Sequence, residues 1–352
     1  MNIIPNHEIL MQRCLDLALC GMGRVAPNPM VGAILVHQGR IIGEGFHRAY
    51  GGPHAEIHAI AAVKDQELLK NATLYVNLEP CSHYGKTPPC TEAIIQHKIP
   101  RVVIGSIDPN PRVNGSGISV LRASGVKVIT GVLQKDCDEL NRRFFTFQSQ
   151  KRPYVILKWA ATRDGFLDVI RSESPEPRPT WITGESERRL VHRWRAEESS
   201  ILVGTHTAIL DNPSLNVRNW YGNSPLRLVL DRTLSLSGEL ALMNGTVPTR
   251  IFSAKPGVCT IPDTEIIAID FDENVPLQIL QYLYTQNVLS LIVEGGAALL
   301  HSFIVSGLWD EARVFTGSVS FGKGVPSPVL PMKPLSVQQF PSGSLCIFRN
   351  ND

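Results

Sequence analysis

One histidine, one glutamate and two cysteines in the first third of the chain are the residue types of a hydrolytic zinc site. His54 and Glu56 stand two positions apart in the segment Pro53-His54-Ala55-Glu56, and Cys81 and Cys90 follow. A catalytic zinc ion keeps three protein ligands and leaves its fourth position to water, whose pKa it lowers to about 7. We therefore expect His54, Cys81 and Cys90 to bind zinc, and Glu56 to carry a proton from the water to a leaving group.

The surroundings of the two cysteines favour this interpretation over ordinary loop thiols. Pro80-Cys81 follows an apolar run at 72–78 that is typical of a buried strand. Cys90 begins a helical pattern, so its thiolate would lie at a helix N-terminus, where the dipole and free amides favour an anion. His-x-Glu followed by Pro-Cys is the signature of zinc deaminases that act on nucleobases.

The spacing of the cysteines departs from the compact Cys-x-x-Cys form of that signature. Eight residues separate Cys81 from Cys90, so the loop between them must fold back for both thiolates to reach one ion. This loop carries His83 and Lys86. We expect these two polar side chains to form part of the substrate pocket.

Length, charge and cysteine usage restrict the class of protein. At 352 residues the chain exceeds the usual size of one domain, so two domains are expected. Its 34 basic and 32 acidic residues nearly balance, which argues against a general nucleic-acid or acidic-membrane binder. No stretch approaches transmembrane length, and charged residues break the apolar run of residues 1–23, which favours an amphipathic helix over an export signal. Seven cysteines, the five outside the zinc site scattered in apolar contexts, favour a reduced, cytoplasmic protein.

The first half of the chain alternates helices and strands as an α/β layer sandwich does. The pattern predicts a helix at 6–21, strands at 31–36 and 40–45, a helix carrying His54 and Glu56, a strand at 72–78, a helix at 91–97, a strand at 101–106, a helix at 118–124 and a strand at 126–130. A polar run at 148–153, which follows an aromatic cluster, indicates the domain boundary. We therefore predict domains at 1–147 and 152–352.

The second half is predicted to be α/β as well. The pattern indicates strands at 154–159, 200–204, 226–230, 250–253, 265–269 and 288–293, and helices at 184–197, 275–285 and 297–306. The strand that ends at Val293 leads into Glu294-Gly295-Gly296, directly before a helix. Glycines at such a turn let a phosphate rest on the helix N-terminus, although a tight connection is their more frequent role. Gly115-Ser116-Gly117 imitates a dinucleotide fingerprint, but it lacks the third glycine and does not directly follow a strand.

Long motifs in both halves carry a resemblance to a known family. They are APNPMVG at 26–32, GEGFH at 43–47, PHAEIH at 53–58, the segment 78–90, DPNP at 108–111, LKWA at 157–160, DG at 164–165, WIT at 181–183, HRWRA at 192–196, ILVGT at 201–205, DNPSL at 211–215 and VEGG at 293–296. In this order, and over nearly the whole chain, they resemble the bifunctional deaminase/reductases of riboflavin biosynthesis.

The resemblance implies a fold, two activities and two cofactors. The fold is α/β in two domains, an N-terminal cytidine-deaminase-like α/β/α sandwich and a C-terminal dihydrofolate-reductase-like α/β domain. The first half would use Zn²⁺ to deaminate a diaminopyrimidinone ribosyl phosphate by hydrolysis, and the second would use NADPH to reduce the ribosyl side chain to ribityl. The implied partner is this small molecule and neither nucleic acid nor a membrane, and the chain is expected to form a homo-oligomer.

The family pattern also assigns site residues. Zinc falls on His54, Cys81 and Cys90, and proton transfer falls on Glu56. Substrate contacts of the deaminase fall on Asn28, His47, His83, Lys86, Asp108 and Asn110. Substrate contacts of the reductase fall on Lys158, Arg195, Leu215, Arg218 and Glu294, and cofactor contacts on Ala160, Trp181, Thr207, Asp211, Gly296, Ala297, Ala298 and Leu299. Without the resemblance, Arg195 would suggest a solvated helix face and Trp181 a core residue.

Two places depart from the family pattern. Residues 171–180 replace a short turn that contains glycine and serine, and Pro179 stands in place of a serine that would touch substrate, so that contact is lost or passes to Thr180. Arg232 replaces a small hydroxyl residue near the cofactor. Its guanidinium could pair with the 2′-phosphate that distinguishes NADPH from NADH, or it could cap an exposed turn.

Two other classes of protein share parts of this pattern. A nucleic-acid deaminase would have the same zinc site together with a basic, aromatic-rich groove, and the balanced charge argues against such a groove. A binding protein with a structural zinc ion would need a fourth ligand, which His58 or His83 could supply.

Overall fold

The structure, a computed structural model, describes residues 6–110, 113–171 and 179–350. Pro111 of the DPNP motif and residues 172–178 of the segment that departs from the family therefore lie outside the described residues. The chain divides into two compact units, Met1–Lys151 and Arg152–Asp352.

The first unit is built around a five-stranded sheet with the strand order β2-β1-β3-β4-β5. Its elements are α1 (His7–Leu19), β1 (Gly32–His37), β2 (Arg40–Phe46), α2 (Ala55–Ala61), β3 (Thr73–Leu78), α3 (Cys90–Gln96), β4 (Arg101–Ser106), α4 (Ser116–Ala123), β5 (Lys127–Thr130), α5 (Gln134–Leu140) and α6 (Arg142–Gln150). β1 is antiparallel to β2 and β3, whereas β3, β4 and β5 are parallel. The carboxyl ends of β3 and β4 therefore share one edge of the sheet.

Helices cover both faces of this sheet. On one face, apolar residues of α2, α3 and α4 such as Ala59, Ile94 and Leu121 pack against the strands. On the other face, Met11 and Cys14 of α1 and Cys137 of α5 form a second apolar cluster with the strands. The first unit is thus an α/β/α sandwich, as the sequence predicts.

The second unit contains a nine-stranded sheet with the order β11-β10-β9-β8-β12-β6-β13-β16-β15. Its elements are β6 (Tyr154–Ala161), β7 (Phe166–Asp168), α7 (Glu185–Glu197), β8 (Ser200–Gly204), α8 (Thr205–Asp211), β9 (Leu226–Leu230), β10 (Thr249–Ser253), β11 (Thr264–Ala268), α9 (Val275–Thr285), β12 (Ser290–Val293), α10 (Ala297–Ser306), β13 (Glu311–Gly317), β14 (Val325–Pro326), β15 (Ser336–Phe340) and β16 (Gly343–Arg349). The strands from β11 to β13 pair in parallel, and β16 and β15 add antiparallel pairs.

Helices cover the two faces of this sheet as well. Leu280 of α9 and Phe303 of α10 pack on one face, and Trp194 of α7 and Ala208 of α8 pack on the other. β8, β12 and β6 are neighbours, so the turns that follow β8 and β12 lie side by side. Glu294 and the two glycines after β12 lie at this carboxyl edge of the sheet.

Several elements differ from the sequence prediction. The first three residues of the polar run placed at the domain boundary, 148–150, belong to helix α6, whose Phe144 and Phe147 are buried while its last residues are exposed. The strands after residue 306 were not predicted. In β13, the buried charges Glu311 and Arg313 interrupt the apolar pattern, and they pair with each other at 2.6 Å. β15 is an edge strand exposed along nearly its whole length, so it shows no alternation of apolar and polar residues.

Close packing between β2 and α2 yields a stability prediction. A Cβ atom on Gly45 would lie 2.5 Å from the backbone nitrogen of Ala59 and 2.6 Å from the carbonyl oxygen of Ala55. We expect Gly45→Ala to lower the free energy of unfolding of the first unit by about 1–3 kcal/mol, because α2 must move off the sheet. Urea denaturation followed by circular dichroism measures this change. The matched control is Gly85→Ala, where a Cβ atom meets nothing within 4 Å, and equal stability of the two variants would contradict the packing.

Candidate functional sites

Three elements of the first unit bring one imidazole and two thiols together. His54 precedes the first residue of α2, Cys81 follows β3, and Cys90 is the first residue of α3. Nδ1 of His54 lies 3.5 Å from Sγ of Cys81 and 3.3 Å from Sγ of Cys90. All three donor atoms lie within 4.8 Å of one another. The loop between the cysteines therefore folds back as the spacing requires.

The donor set fits a zinc ion. A tetrahedral zinc site with the usual Zn–N and Zn–S bond lengths puts neighbouring donor atoms about 3.6 Å apart. The contacts of His54 Nδ1 with the two sulfur atoms, 3.5 and 3.3 Å, are close to this spacing. The neighbouring Cys90 side chain and the hydrogen bond with His54 lower the pKa of the Cys81 thiol, which favours the thiolate that binds metal.

Glu56 lies beside this cluster and is buried, with 3% of its surface exposed. Its carboxyl group is within hydrogen-bonding reach of the Cys90 thiol. Burial raises the pKa of Glu56, and the nearby His54 opposes that rise. A buried carboxyl group at the metal site has the position that proton transfer requires.

His47 is locked between two partners. Its Nδ1 lies 3.0 Å from the carbonyl oxygen of Pro53, and its Nε2 lies 3.0 Å from the side-chain nitrogen of Asn28. The carbonyl can only accept, so Nδ1 carries the proton and Nε2 accepts from the Asn28 amide. Burial lowers the pKa of His47, which keeps the ring neutral. The ring also meets His54 edge-on, with 5.4 Å between centroids.

The other polar residues predicted for this pocket differ in burial. Asp108 follows β4 at the same sheet edge as Cys81, and burial, with smaller contributions that include Glu79 and Cys81, raises its pKa to about 6. Its Oδ1 accepts from the backbone N–H of Asn110 at 2.8 Å. His83 and Lys86 are exposed. The Lys86 ammonium lies 3.9 Å from the centroid of the Tyr50 ring. Tyr50 was not predicted as a site residue.

Glu79 is a second residue that sequence reasoning missed. Its buried carboxylate accepts backbone N–H groups from Asp108 at 3.2 Å, Gly115 at 2.9 Å and Ile118 at 3.1 Å. It therefore ties the segment after β4 to the strand that ends in Pro80-Cys81. An acidic residue at the end of an apolar strand was the available signal.

Two buried amides fix the segment next to Asn28. Asn77 accepts the N–H of Gly32 at 2.8 Å and donates to the carbonyl of Met30 at 3.1 Å. Asn141 accepts the N–H of Met30 at 2.8 Å and donates to the same carbonyl at 2.9 Å. Nothing in the local sequence pattern pointed to Asn141, because it contacts residues more than a hundred positions away.

In the second unit, Glu294 and Arg195 form a buried ion pair. Glu294 follows β12, and Arg195 lies on α7. The guanidinium donates to both carboxylate oxygens at 3.2 and 2.7 Å, and the two side chains are 11% and 9% exposed. Burial alone would raise the pKa of Glu294, but Arg195 and Lys158 outweigh it and hold that pKa at about 2. The carboxylate is thus an acceptor only at neutral pH.

Other basic groups surround this pair. Burial lowers the pKa of Lys158, and Glu294 opposes that effect. Burial, together with the positive charges of Arg195 and Arg218, lowers the pKa of His192 to about 4, so this ring stays neutral. Arg218 is exposed, and Leu215 is buried with a positive φ of 49°.

The turn after β12 has the geometry that the glycines suggest. Gly295 and Gly296 have φ values of 110° and 73°, which only glycine adopts without strain. A Cβ atom on either would lie 3.3 to 3.4 Å from the Thr207 side chain. Ala297, Ala298 and Leu299 then form the first turn of α10. The predicted cofactor residues Thr207 and Gly296 are therefore neighbours.

Three further predicted cofactor residues lie on other elements. Ala160 is in β6 and pairs with Phe315 of β13. Trp181 is half exposed, and the Arg188 guanidinium stacks on its ring at 4.5 Å. Asp211, at the end of α8, accepts a hydrogen bond from Arg171 at 2.6 Å. Arg171 and Arg188 were not predicted as site residues.

Family models match both halves of the chain. The model described as the RibD C-terminal domain matches residues 153–344, and the one described as the cytidine and deoxycytidylate deaminase zinc-binding region matches residues 4–106. The riboflavin biosynthesis protein RibD of Bacillus amyloliquefaciens is 39% identical over 324 residues, which are 90% of this chain and 85% of that protein. The RibD protein of Aquifex aeolicus is 38% identical over 326 residues, 90% of this chain and 88% of that protein.

The chain belongs to the RibD family. Its fold is that of a solved family member, a diaminohydroxyphosphoribosylaminopyrimidine deaminase/5-amino-6-(5-phosphoribosylamino)uracil reductase from Thermotoga maritima, with a TM-score of 0.88 at 39% identity over 97% of this chain and 98% of that chain. RibD from Acinetobacter baumannii gives a TM-score of 0.87 at 31% identity, with the same coverage.

Membership in the RibD family confirms the predicted fold, function and cofactors. The protein is a bifunctional enzyme of riboflavin biosynthesis, with deaminase and reductase activities that use zinc and NADPH. Over the described residues, none of the helices has both the length and the apolar character needed to span a bilayer.

The cluster of His54, Cys81 and Cys90 leads to a prediction about zinc content. Cys81→Ser or Cys90→Ser should lower the zinc bound per chain, because a hydroxyl is a poor substitute for a thiolate ligand. Inductively coupled plasma mass spectrometry of the purified protein measures this content. Cys20→Ser, at an exposed cysteine outside the cluster, is the control and should keep full zinc. Full occupancy in both ligand variants would rule out the assignment.

Proposed function

We propose that residues 1–147 carry the deaminase activity of this RibD enzyme and that residues 152–352 carry the reductase activity. The observation that carries the deaminase proposal is the approach of His54, Cys81 and Cys90 to one another with the buried Glu56 beside them. The observation that carries the reductase proposal is the cluster of Lys158, Arg195 and Glu294 at the carboxyl edge of a parallel sheet.

We infer a substrate for each step. The deaminase acts on 2,5-diamino-6-(ribosylamino)pyrimidin-4-one 5′-phosphate, and the reductase converts the ribosyl side chain of the product to ribityl. The final product is 5-amino-6-(ribitylamino)uracil 5′-phosphate. The Thermotoga maritima relative, a diaminohydroxyphosphoribosylaminopyrimidine deaminase/5-amino-6-(5-phosphoribosylamino)uracil reductase, supports this inference.

In the deamination step, Glu56 moves the protons. Zinc, when bound, supplies a Lewis acid that makes water nucleophilic at neutral pH. Burial raises the pKa of Glu56, so its carboxyl group can both take a proton and give it to departing ammonia. Asp108 and Asn110 lie at the sheet edge beside the cluster, where their side chains offer polar atoms to the ring or sugar.

His47 acts in this step through Asn28. Both ring nitrogens of His47 have partners in the protein, and the one that faces Asn28 accepts from its amide. The amide oxygen of Asn28 is thereby oriented, and it accepts from N–H groups of the substrate. Lys86, supported by the Tyr50 ring, lies on the exposed loop and provides positive charge for the phosphate, and the His83 ring on the same loop offers a nitrogen for hydrogen bonding.

In the reduction step, the residues of the second unit bind and orient. NADPH supplies the hydride when bound. The ionised Glu294 accepts hydrogen bonds from hydroxyl groups of the sugar, and Lys158 donates a hydrogen bond to the sugar. Arg218 attracts the phosphate from its exposed position. Leu215 lies buried in the apolar cluster with Trp194 and Ala208, and its backbone follows α8. Thr207, Asp211, Trp181, Ala160 and the segment 296–299 receive the cofactor.

Neither rival class gains support. The balanced charge gives no basis for a strand-binding groove, and the reductase half has no role in a nucleic-acid deaminase. For a structural zinc site, His58 or His83 would have to join the cluster. Over the described residues, the metal-binding group contains His54, Cys81 and Cys90 and neither of those histidines.

We further propose that the enzyme works in the cytoplasm as a homo-oligomer. None of its seven cysteines, all of which are among the described residues, forms a disulfide, which suits a reducing compartment. The edge strand β15 carries the half-exposed Val337, and Leu335 just before it is also exposed, so this edge offers apolar surface to a second copy.

The role of Glu56 can be tested without loss of the metal site. Glu56→Gln should keep zinc but reduce ammonia release by at least about 10²-fold, because the amide can hydrogen-bond water yet cannot carry its proton. Ammonia release and zinc content are measured on the same sample. Glu92→Gln, at an exposed carboxylate on α3, is the control and should keep activity. Unchanged ammonia release in Glu56→Gln would remove this residue from the mechanism.

The proposed contact of Arg232 with the 2′-phosphate of NADPH rests on its position after β9, beside the strand that leads into α8. Its ion pair with Asp272, at 3.3 Å with side chains 59% and 86% exposed, is too exposed to compete strongly with a phosphate. Arg232→Ala should therefore weaken NADPH use by about 10- to 100-fold and spare NADH, as loss of a charge-assisted pair implies. Steady-state KM values for both cofactors measure this. Asp272→Ala is the control. Equal effects of Arg232→Ala on both cofactors would contradict a contact with the 2′-phosphate.

A further inference from the structure

Arg171 joins three separate segments of the second unit. Its guanidinium donates to Oδ2 of Asp168 at 2.9 Å, to the carbonyl of Leu210 at 2.6 Å and to Oδ1 of Asp211 at 2.6 Å. Thr180 Oγ1 lies within reach of the same group, at 3.4 Å. The Arg171 side chain is 9% exposed. One buried side chain thus contacts the end of β7, the residue before Trp181 and the end of α8.

The geometry suits a guanidinium in particular. Asp168, Leu210 and Asp211 offer acceptors in different directions around one planar group, and the fork of arginine can donate to several at once. The Leu210 carbonyl belongs to the last turn of α8, where carbonyl groups lack partners within the helix. Arg171 therefore both caps α8 and pairs with its final carboxylate.

Removal of Arg171 would take away the cation that is hydrogen-bonded to both Asp168 and Asp211. Burial raises the pKa of Asp211, Arg171 lowers it, and the neighbouring Asp168 raises it again. Lys158 is the other cation whose charge acts on Asp211. Without the guanidinium, Asp168 and Asp211 would repel each other, and the Asp211 side chain would lose the partner that fixes its direction.

We propose that Arg171 is a positioning residue of the reductase, which holds the Asp211 carboxylate and the Thr180-Trp181 segment in the arrangement that receives NADPH. This inference rests on the proposed cofactor roles of Asp211 and Trp181. Its effect should appear in cofactor binding and spare both the deaminase and the hydride-transfer step.

The test compares the Arg171→Met and Arg171→Lys variants with the enzyme without substitutions, all as the whole chain. We expect the KM for NADPH to rise about 10- to 100-fold in Arg171→Met, as loss of charge-assisted hydrogen bonds implies, with kcat at saturating NADPH nearly unchanged. Arg171→Lys keeps the charge but not the fork, so its KM should rise less. Arg163→Met, at an exposed arginine in the turn before β7, is the matched control. Ammonia release should be unchanged throughout.

Two further variants distinguish a positioning role of Arg171 from a general loss of structure. Asp168→Asn in the Arg171→Met background removes the repulsion on Asp211 and should restore part of the NADPH affinity. A loss of kcat at unchanged KM, or an unchanged KM for NADPH in both Arg171 variants, would overturn the inference. Should Arg171→Met fail to fold, Arg171→Lys alone decides by the same criteria. If Asp211→Asn leaves the KM for NADPH unchanged, the proposed role of Asp211 fails, and the inference falls with it.

Discussion

Parallel strand pairing is the constraint on which both sites depend. In the first unit, β3 and β4 pair in parallel, so Cys81 and Asp108 emerge at the same sheet edge. In the second unit, β12 is parallel to β8 and β6, so Glu294, the glycine turn and α8 meet at one edge. Because strand ends in such a sheet cannot move independently of the core, each set of functional side chains is held by the packing of buried apolar residues.

Within this frame, buried charges determine what each site can do. Glu294 stays ionised in a buried position because Arg195 and Lys158 compensate it, and Arg171 compensates Asp168 and Asp211 in the same unit. The pKa of Glu56 shifts in the opposite direction, because burial raises it more than the nearby His54 lowers it. One unit thus needs a carboxylate that only accepts hydrogen bonds, and the other needs a carboxyl group that can exchange a proton.

The sequence predicted best what depends on local pattern. The strands and helices around His54, Cys81 and Cys90 follow from apolar periodicity, and the glycines after β12 predicted a turn from strand to helix, where the structure has positive φ angles. It failed where charge interrupts a buried strand, as Arg313 does in β13, and where an exposed edge strand has no alternation, as in β15. Contacts such as those of Asn141 with Met30 and of Arg171 with Asp211 join distant positions, so no local window could reveal them.

The order and independence of the two reactions can be measured in one assay. Purified enzyme is given the diaminopyrimidinone ribosyl phosphate, and ammonia release and NADPH oxidation are recorded together, with and without prior removal of zinc by a chelator. Ammonia should appear without NADPH, and NADPH oxidation should begin only after deaminated product has formed. Zinc removal should stop ammonia release but leave the reduction of supplied deaminated product intact. NADPH oxidation that starts before any deamination, or ammonia release that survives zinc removal, would contradict the account.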